Sequence, residues 1–458
     1  MRSRLRFFGG STNHWEGSCR TFDPIDFETR SWVPDSGWPI SYHDLEPYYD
    51  RAFPYIEVGA RFPDERMLLG DLNPYQKKLI AGGFQARLGY HSPPTRFGKR
   101  YIEDLDVSNI TILTRANLMS INESADRQSV NSLTICNYKQ QKATVTAKYY
   151  VVALGGIENA RALLLSDSVT PGGIGNERGL VGRYFMDHPV IEGAVFYPTA
   201  DFVRAWKTGV IEYQSKTHPL SLEASDDLLR RNQLTNARMP LDWASKSYTS
   251  LGIESVHQIE KALSTGRELH EVLTHLSNVM GDADLIFEQW RRNHGFSPWI
   301  ARADEYGGFV MSIMMEQRPD RDNRIVLTND RDALGLRKGR IAWRLPQSEK
   351  DDFKRLLGLF AKGTGAQGLG IVRSLLSEDD MNRRFEELIN FGHHHMGTTR
   401  ASADPKRGVV DPDQRIHGRA NIYMAGSSVF PTGSHVPPTT TIVAMTIRLA
   451  DHLKKRLA

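Results

Sequence analysis

Apolar positions recur along the chain at two spacings, and each predicts its own elements. Leu45, Tyr48, Tyr49 and Ala52 fall at helical intervals behind Ser41, a residue type that caps helices, and follow the turn-rich stretch Pro34-Asp-Ser-Gly-Trp-Pro39. Residues 109–121 (NITILTRANLMSI) and 143–153 (TVTAKYYVVAL) alternate or cluster β-branched and aromatic residues and predict strands. The second runs into Leu154-Gly155-Gly156-Ile157-Glu158 and then a helical stretch, Asn159 to Ser166, with Ala160, Leu163 and Leu164 on one face. A strand, a Gly-Gly turn and a helix make a unit whose helix amides favour anions, although a plain tight connection fits the same residues.

Beyond Gly182-Arg-Tyr-Phe-Met-Asp-His188-Pro189 the texture changes. Short strand-like runs at 191–197, 309–315, 324–327 and 340–345 are mixed with polar helical stretches such as 255–292. That shift places one unit at 1–189 together with 391–458, and a second, substrate-facing unit at 190–390. Further helices are predicted from Ser348 to about Lys362 and over 379–390, a short strand over Asn421 to Gly426, and a last helix from Thr441 to Lys455. Its end carries Lys454, Lys455 and Arg456, charges that suit a helix C-terminus.

Composition narrows the class of protein. The chain has 458 residues, 40% of them hydrophobic and 24% charged, with a formal charge of +4, so nothing calls for a nucleic-acid or membrane-surface partner. Cys19 and Cys136 are the two cysteines, which excludes a disulfide framework and a cysteine-rich metal centre. The longest apolar runs fall far short of the ~20 residues of a spanning helix. Arg2, Arg4 and Arg6 are followed by Gly9-Gly10-Ser11-Thr12-Asn13 where a signal peptide would have its apolar core. The expectation is therefore a cytoplasmic protein, or a periplasmic one carried by a partner.

Candidate chemistry concentrates at Phe391-Gly-His393-His394-His395-Met-Gly397-Thr-Thr-Arg400. If this run is extended, His393 and His395 point one way and His394 points alone the other way. His393 and His395 could then share a metal, but no acid stands nearby in a recognisable ligand spacing, and no metal is expected. Buried structural histidines are a second reading. A third is a general base, since hydride cannot leave an alcohol carbon until the hydroxyl proton is taken. Hydride also needs an acceptor that side chains cannot supply, so a cofactor is implied.

The phrases GGSTNHWEG, SGWPISYHDLEPYY, VVALGGIEN, GLVGRYFMDHP, HHMGTTR, GVVD and NIYMAGSSVFPTGS, in this order, resemble the glucose–methanol–choline flavoprotein oxidoreductases, particularly the bacterial sugar and polyol dehydrogenases and the pyranose oxidases. The resemblance runs from Phe7 to about Leu457 and is weaker between 200 and 300. It implies FAD as hydride acceptor and oxidation of a CH–OH group of a sugar, polyol or other alcohol to a carbonyl. The implied fold is α/β plus α+β, with an incomplete FAD-binding Rossmann-like domain and a mixed-sheet substrate-binding domain. A small or electron-transfer subunit is compatible with it as a partner.

By the same resemblance His394 is the catalytic base, standing three residues before the Gly-Thr pair. His14 of the His-Trp pair stands where the pyranose-oxidase branch attaches its flavin covalently. Gly9, Gly10, Asn13, Trp15, Gly155, Gly156, Gly426, Ser427 and Pro437 fall on flavin-contacting segments. Two departures stand out. No Gly-x-Gly-x-x-Gly precedes a strand here, so the pyrophosphate cradle and central strand of the family are expected to be missing, leaving an exposed sheet edge. Pro437 stands where the family carries Asn or His, and proline has no side-chain donor. His435, two residues earlier on the same face of an extended segment, is the candidate substitute. A non-catalytic homologue that binds sugar or a partner through residues 190–385 is the alternative.

Overall fold

The structure, a computed structural model, describes residues 4–61, 69–206, 210–213, 216–266, 272–296, 306–376 and 385–458. Helix α1 (Tyr42–Tyr55) starts at the expected cap: the Asp44 amide donates to Ser41 Oγ at 3.2 Å, and the Ser41 amide donates to Asp44 Oδ2 at 2.8 Å. Strand β1 (Phe84–Leu88) comes next, then an antiparallel trio of β2 (Asn117–Glu123), β3 (Val130–Cys136) and β4 (Lys142–Val145). The strand expected over 109–121 begins only at Asn117, where pairing with Cys136 starts, and Ile110, Ile112 and Leu113 before it are exposed.

The run 143–153 divides into two strands for a similar reason. Residues 142–145 pair with β3, whereas β5 (Tyr150–Val152) leaves that sheet to lie parallel to β15 (Ile422–Met424). Among the described residues this parallel sheet holds two strands, and Val151 and Leu154 stand exposed beside it. Helix α2 (Gly155–Leu165) follows β5 directly. It starts four residues before Asn159 because the Gly-Gly pair makes the turn, with Gly155 at φ +85°.

Among the described residues the largest sheet has nine strands, and it draws β1 from the segment 1–189 as well as strands from 190–390. Its main path runs β13 (Gly370–Ser374), β6 (Pro189–Pro198), β10 (Tyr306–Met315), β8 (Ala237–Met239), β7 (Lys216–Ala224) and β1, every pairing antiparallel. Strand β9 (Leu241–Ser245) also pairs with β10, and β14 (Asn390–Phe391) with β6. Between β9 and β10 lies a helical excursion, α3 (Leu251–Thr265), α4 (Val272–Gly281) and α5 (Ala283–Asn293). The hairpin β11 (Arg324–Arg331) and β12 (Arg337–Ala342) precedes α6 (Gln347–Ala366), whose Phe353, Leu356 and Phe360 pack on the large sheet. Residues 379–384 of the helix expected at 379–390 lie outside the described residues, and the rest holds a single 3₁₀ turn, Phe385–Glu387, in place of an α-helix. The last helix, α7 (Thr439–Leu457), extends two residues beyond expectation at each end and packs against α1.

Two large hydrophobic cores result. One joins Leu45, Tyr49, Leu163, Met396, Met424 and Phe430; the other joins Phe84, Ile191, Leu222, Met311, Phe353 and Phe360. A buried ionic layer sits where they meet. The Arg30 guanidinium grips Glu316 with two hydrogen bonds, at 2.8 and 2.5 Å, and both side chains are almost wholly enclosed. Arg20 pairs with Asp23 and with the equally enclosed Glu223. The layer therefore ties the segment before α1 to β7 and to the residue that follows β10.

Candidate active site

The His run is positioned by a short antiparallel contact with residues 186–188. Met186 and Met396 exchange backbone hydrogen bonds at 3.1 and 2.9 Å, and the Gly392 amide donates to the His188 carbonyl at 3.0 Å. Asp187 Oδ1 then accepts from the amides of His188 and His394, at 2.8 and 2.7 Å. One carboxylate oxygen thus clamps the backbones of both histidines.

The run is not extended, which corrects the premise of the alternation expected from sequence. His393 has φ +58°, in the left-handed region. The outcome survives because the turn and the clamp set the faces: the His393 and His395 rings lie 6.5 Å apart, while the His394 ring meets His188 edge-on at 4.9 Å. Gly392 makes room for this. A Cβ there would stand 2.7 Å from His394 Nδ1.

Proton positions follow from the partners. His188 Nε2 lies 3.2 Å from the Gly433 carbonyl, which can only accept, so this nitrogen carries the hydrogen. Burial pushes the His188 pKa down to about 4, so the ring is neutral near pH 7 and its Nδ1 is a lone pair. That lone pair is 2.8 Å from His394 Nδ1, which must then be the donor. His394 is itself neutral, held well below the usual histidine range by burial and then by its histidine neighbours. Its Nε2 is left unprotonated. A neutral imidazole with a fixed tautomer is a proton acceptor that needs no prior deprotonation.

On the other side of the run, Asp187 comes within reach of His393 and His395. The three groups each offer one ligand atom, all within 4.8 Å of one another. The carboxylate that no sequence spacing indicated is thus supplied by the fold. Its Oδ2 is 3.8 Å from His395 Nε2, which has no hydrogen-bond partner. Burial raises the Asp187 pKa to about 7 and lowers that of His395 to about 4, so the pair is neutral rather than ionic over most of that range.

His394 opens on a cleft of about 2020 Å³, well beyond the roughly 300–1,000 Å³ of an ordinary ligand pocket. Gly9, Gly10, His14, Trp15, Gly155, Gly156, Gly426, Ser427 and Pro437 all line it. Gly155 and Gly426, at φ +85° and +99°, have open space where a Cβ would project. Helices α2 and α7 both begin at the cleft, and neither first turn has a side-chain cap. Uncapped helix amides beside open glycines suit an elongated, anionic, close-lying group such as a dinucleotide. Gly156 serves another purpose as well, because a Cβ on it would come within 2.1 Å of the His395 carbonyl.

Two expected site residues lie elsewhere. Asn13 is not in the cleft wall; its amide donates to the carbonyls of Phe8 and Gly10, at 3.1 and 2.9 Å, and ties the glycine turn together. His435 is fully buried behind the cleft, 3.3 Å from Glu223. The chain bends at His435 and Val436, so positions 435 and 437 do not share a face. Burial opposes a charge on His435, but Glu223 and Asp26 outweigh it and raise the pKa, making the imidazole part of the buried ionic layer.

Two residues of the site carry no signal of their role in the sequence. His188 stands within a phrase that marks the family but says nothing of a partner 206 residues away. Arg238, on β8, lines the cleft near enough to His394 to depress its pKa, and it belongs to no recognisable phrase.

A glycine-lined cleft with a neutral imidazole in its wall has room for a dinucleotide beside a proton acceptor. Residues 319–446 match the model of the GMC oxidoreductase family. It is 24% identical to the fructose dehydrogenase large subunit of Gluconobacter japonicus, over 98% of this chain and 80% of that protein. Identity to the 2-methyl-1,2-propanediol dehydrogenase of Mycolicibacterium austroafricanum is also 24%, over 98% and 81%. Among solved structures, pyridoxine 4-oxidase from Mesorbium loti matches with a TM-score of 0.57 at 16% identity, covering 99% of this chain and 84% of that one. The family match and the flavoprotein neighbours indicate FAD as the cofactor, and the open glycines and uncapped helix ends of the cleft suit such a group. Among the described residues no helix is long and apolar enough to cross a membrane.

Proposed function

We propose that the protein oxidises a CH–OH group of a sugar, polyol or other alcohol, with His394 as general base. Fructose and a propanediol, in the names of the two dehydrogenases, support that substrate class. When bound, FAD supplies the two-electron acceptor for the hydride leaving the substrate carbon. Gly9, Gly10, Gly155, Gly156, Gly426 and Ser427 would hold it, with the first turns of α2 and α7 facing its anionic and electron-rich groups. His394 Nε2 takes the hydroxyl proton as the alcohol is oxidised. The imidazolium so formed keeps Nδ1–H on His188, so the ring does not turn while charged.

One observation carries this reading: the 2.8 Å contact between the two Nδ1 atoms, which with the Gly433 carbonyl leaves His394 Nε2 free. His14 stands exposed in the cleft wall, where it is available for a covalent link to the flavin. Purified protein should show flavin absorbance in the visible region. An alcohol with a dye acceptor should give turnover that His394→Ala lowers by about 10²-fold to 10⁴-fold without loss of flavin. Full activity in that variant would exclude His394 as the base.

A further inference from the structure

Of the charged groups that line the cleft, Arg238 is the one whose place is fixed in a sheet row that leads to the His run. Arg238 on β8 is in register with Met314 on β10, Met314 with Val190 on β6, and Val190 with Asn390 on β14. Register partners share a sheet face, so these four side chains form one row across four strands. All four line the cleft, and the row ends four residues before His394.

Arg238 has no ion-pair partner among the described residues, and its guanidinium donates to Ser18 Oγ at 3.2 Å. Glu223, its cross-strand neighbour on β7, is already engaged by Arg20, Ser221 and His435. Burial is the main influence on Arg238 and disfavours its charge, and Glu223 and Asp242 oppose that effect without outweighing it. An arginine cannot shed its proton at ordinary pH, so a half-buried one with no ion-pair partner is stabilised further by an anion that enters the cleft.

Resting on the proposed alcohol oxidation, we infer that Arg238 is the anchor of an anion subsite and that the alcohol taken here carries a carboxylate, as a sugar acid does. A guanidinium fork accepts a carboxylate through two parallel hydrogen bonds, which fixes orientation as well as position. Met314 and Val190 give the floor beneath it an apolar surface, and Asn390 offers an amide for a hydroxyl of the same molecule. The same positive charge repels a cationic substrate. It also disfavours protonation of His394 in the resting site, which keeps the base ready.

D-gluconate and D-glucitol share a six-carbon chain and differ by one terminal carboxylate, so they isolate the effect. With flavin-loaded protein and a dye acceptor, kcat/KM for gluconate should exceed that for glucitol by about thirtyfold or more. Arg238→Gln should collapse that ratio toward one, and Arg238→Lys should restore part of it. A second measurement does not depend on turnover: calorimetric titration should show gluconate binding that Arg238→Gln abolishes. Equal kcat/KM for the two compounds in the parent protein would overturn the inference, as would gluconate binding indifferent to Arg238. If gluconate binding depends on Arg238 but no alcohol reduces the flavin, the anion subsite stands and the proposed oxidation falls.

Discussion

His188 offers a direct test of how the base is prepared. His188→Phe keeps a ring of similar bulk but removes the lone pair that now accepts from His394 Nδ1 at 2.8 Å. The His394 N–H is then buried without a partner, a loss of about 1–3 kcal/mol in the state that has Nε2 free. At 1.36 kcal/mol per factor of ten, that predicts a fall in kcat/KM of about 5-fold to 150-fold. His188→Gln is the matched control. Its amide retains one acceptor for His394 and one donor for the Gly433 carbonyl, and it should recover most of the activity. Nitrogen-15 shifts of the labelled imidazoles report the tautomer directly. Parent protein should show His394 protonated at Nδ1, and His188→Phe a mixture. A parent His394 protonated at Nε2, or a phenylalanine variant as active as the glutamine variant, would refute the reasoning.

Three further outcomes follow from particular contacts. Gly392→Ala puts a Cβ 2.7 Å from His394 Nδ1; the displaced ring should lower kcat by about 10²-fold with flavin content unchanged, and normal kcat would show the ring to be free to move. Asp187 titrates near 7 in the folded chain against about 4 unfolded, so between those values the folded state keeps a proton the unfolded state releases, and stability falls as pH rises. Asp187→Asn escapes that loss. Its urea midpoint relative to the parent should climb between pH 4 and pH 7, and a constant offset would contradict the assignment. Arg30→Met leaves Glu316 buried and unpaired at a cost of about 3–5 kcal/mol in chemical unfolding, and adding Glu316→Gln should recover part of it.

How far the site was legible depends on the range of the contacts that make it. His394 was visible twice, in the His run and in its distance from the Gly-Thr pair, because both signals are local. The helix caps at Ser41 and the strand at β6 were visible for the same reason. His188 was invisible as a partner because the contact closes a loop of 206 residues, and no periodicity reports that. Arg238 was invisible because its place beside His394 is set by the register of four strands, none of which marks it. His435 was misplaced by an assumption of extended backbone, and the bends at His435 and Val436 send its side chain to Glu223 instead of the cleft. The split of 143–153 into two strands failed similarly: β propensity was read correctly, but which sheet each half joins is decided by distant partners.

The Asp187 clamp has one more consequence. A single carboxylate oxygen holds the amides of two residues that lie in different halves of the chain, and the base acquires its tautomer only when those halves have met. No fragment ending before residue 390 and no partly folded intermediate can contain a working acceptor. Contacts of such sequence separation form late and slowly. In a refolding experiment, catalytic activity should therefore be the last signal to return, after helix content and after burial of the aromatic cores, which makes turnover a reporter of completed assembly.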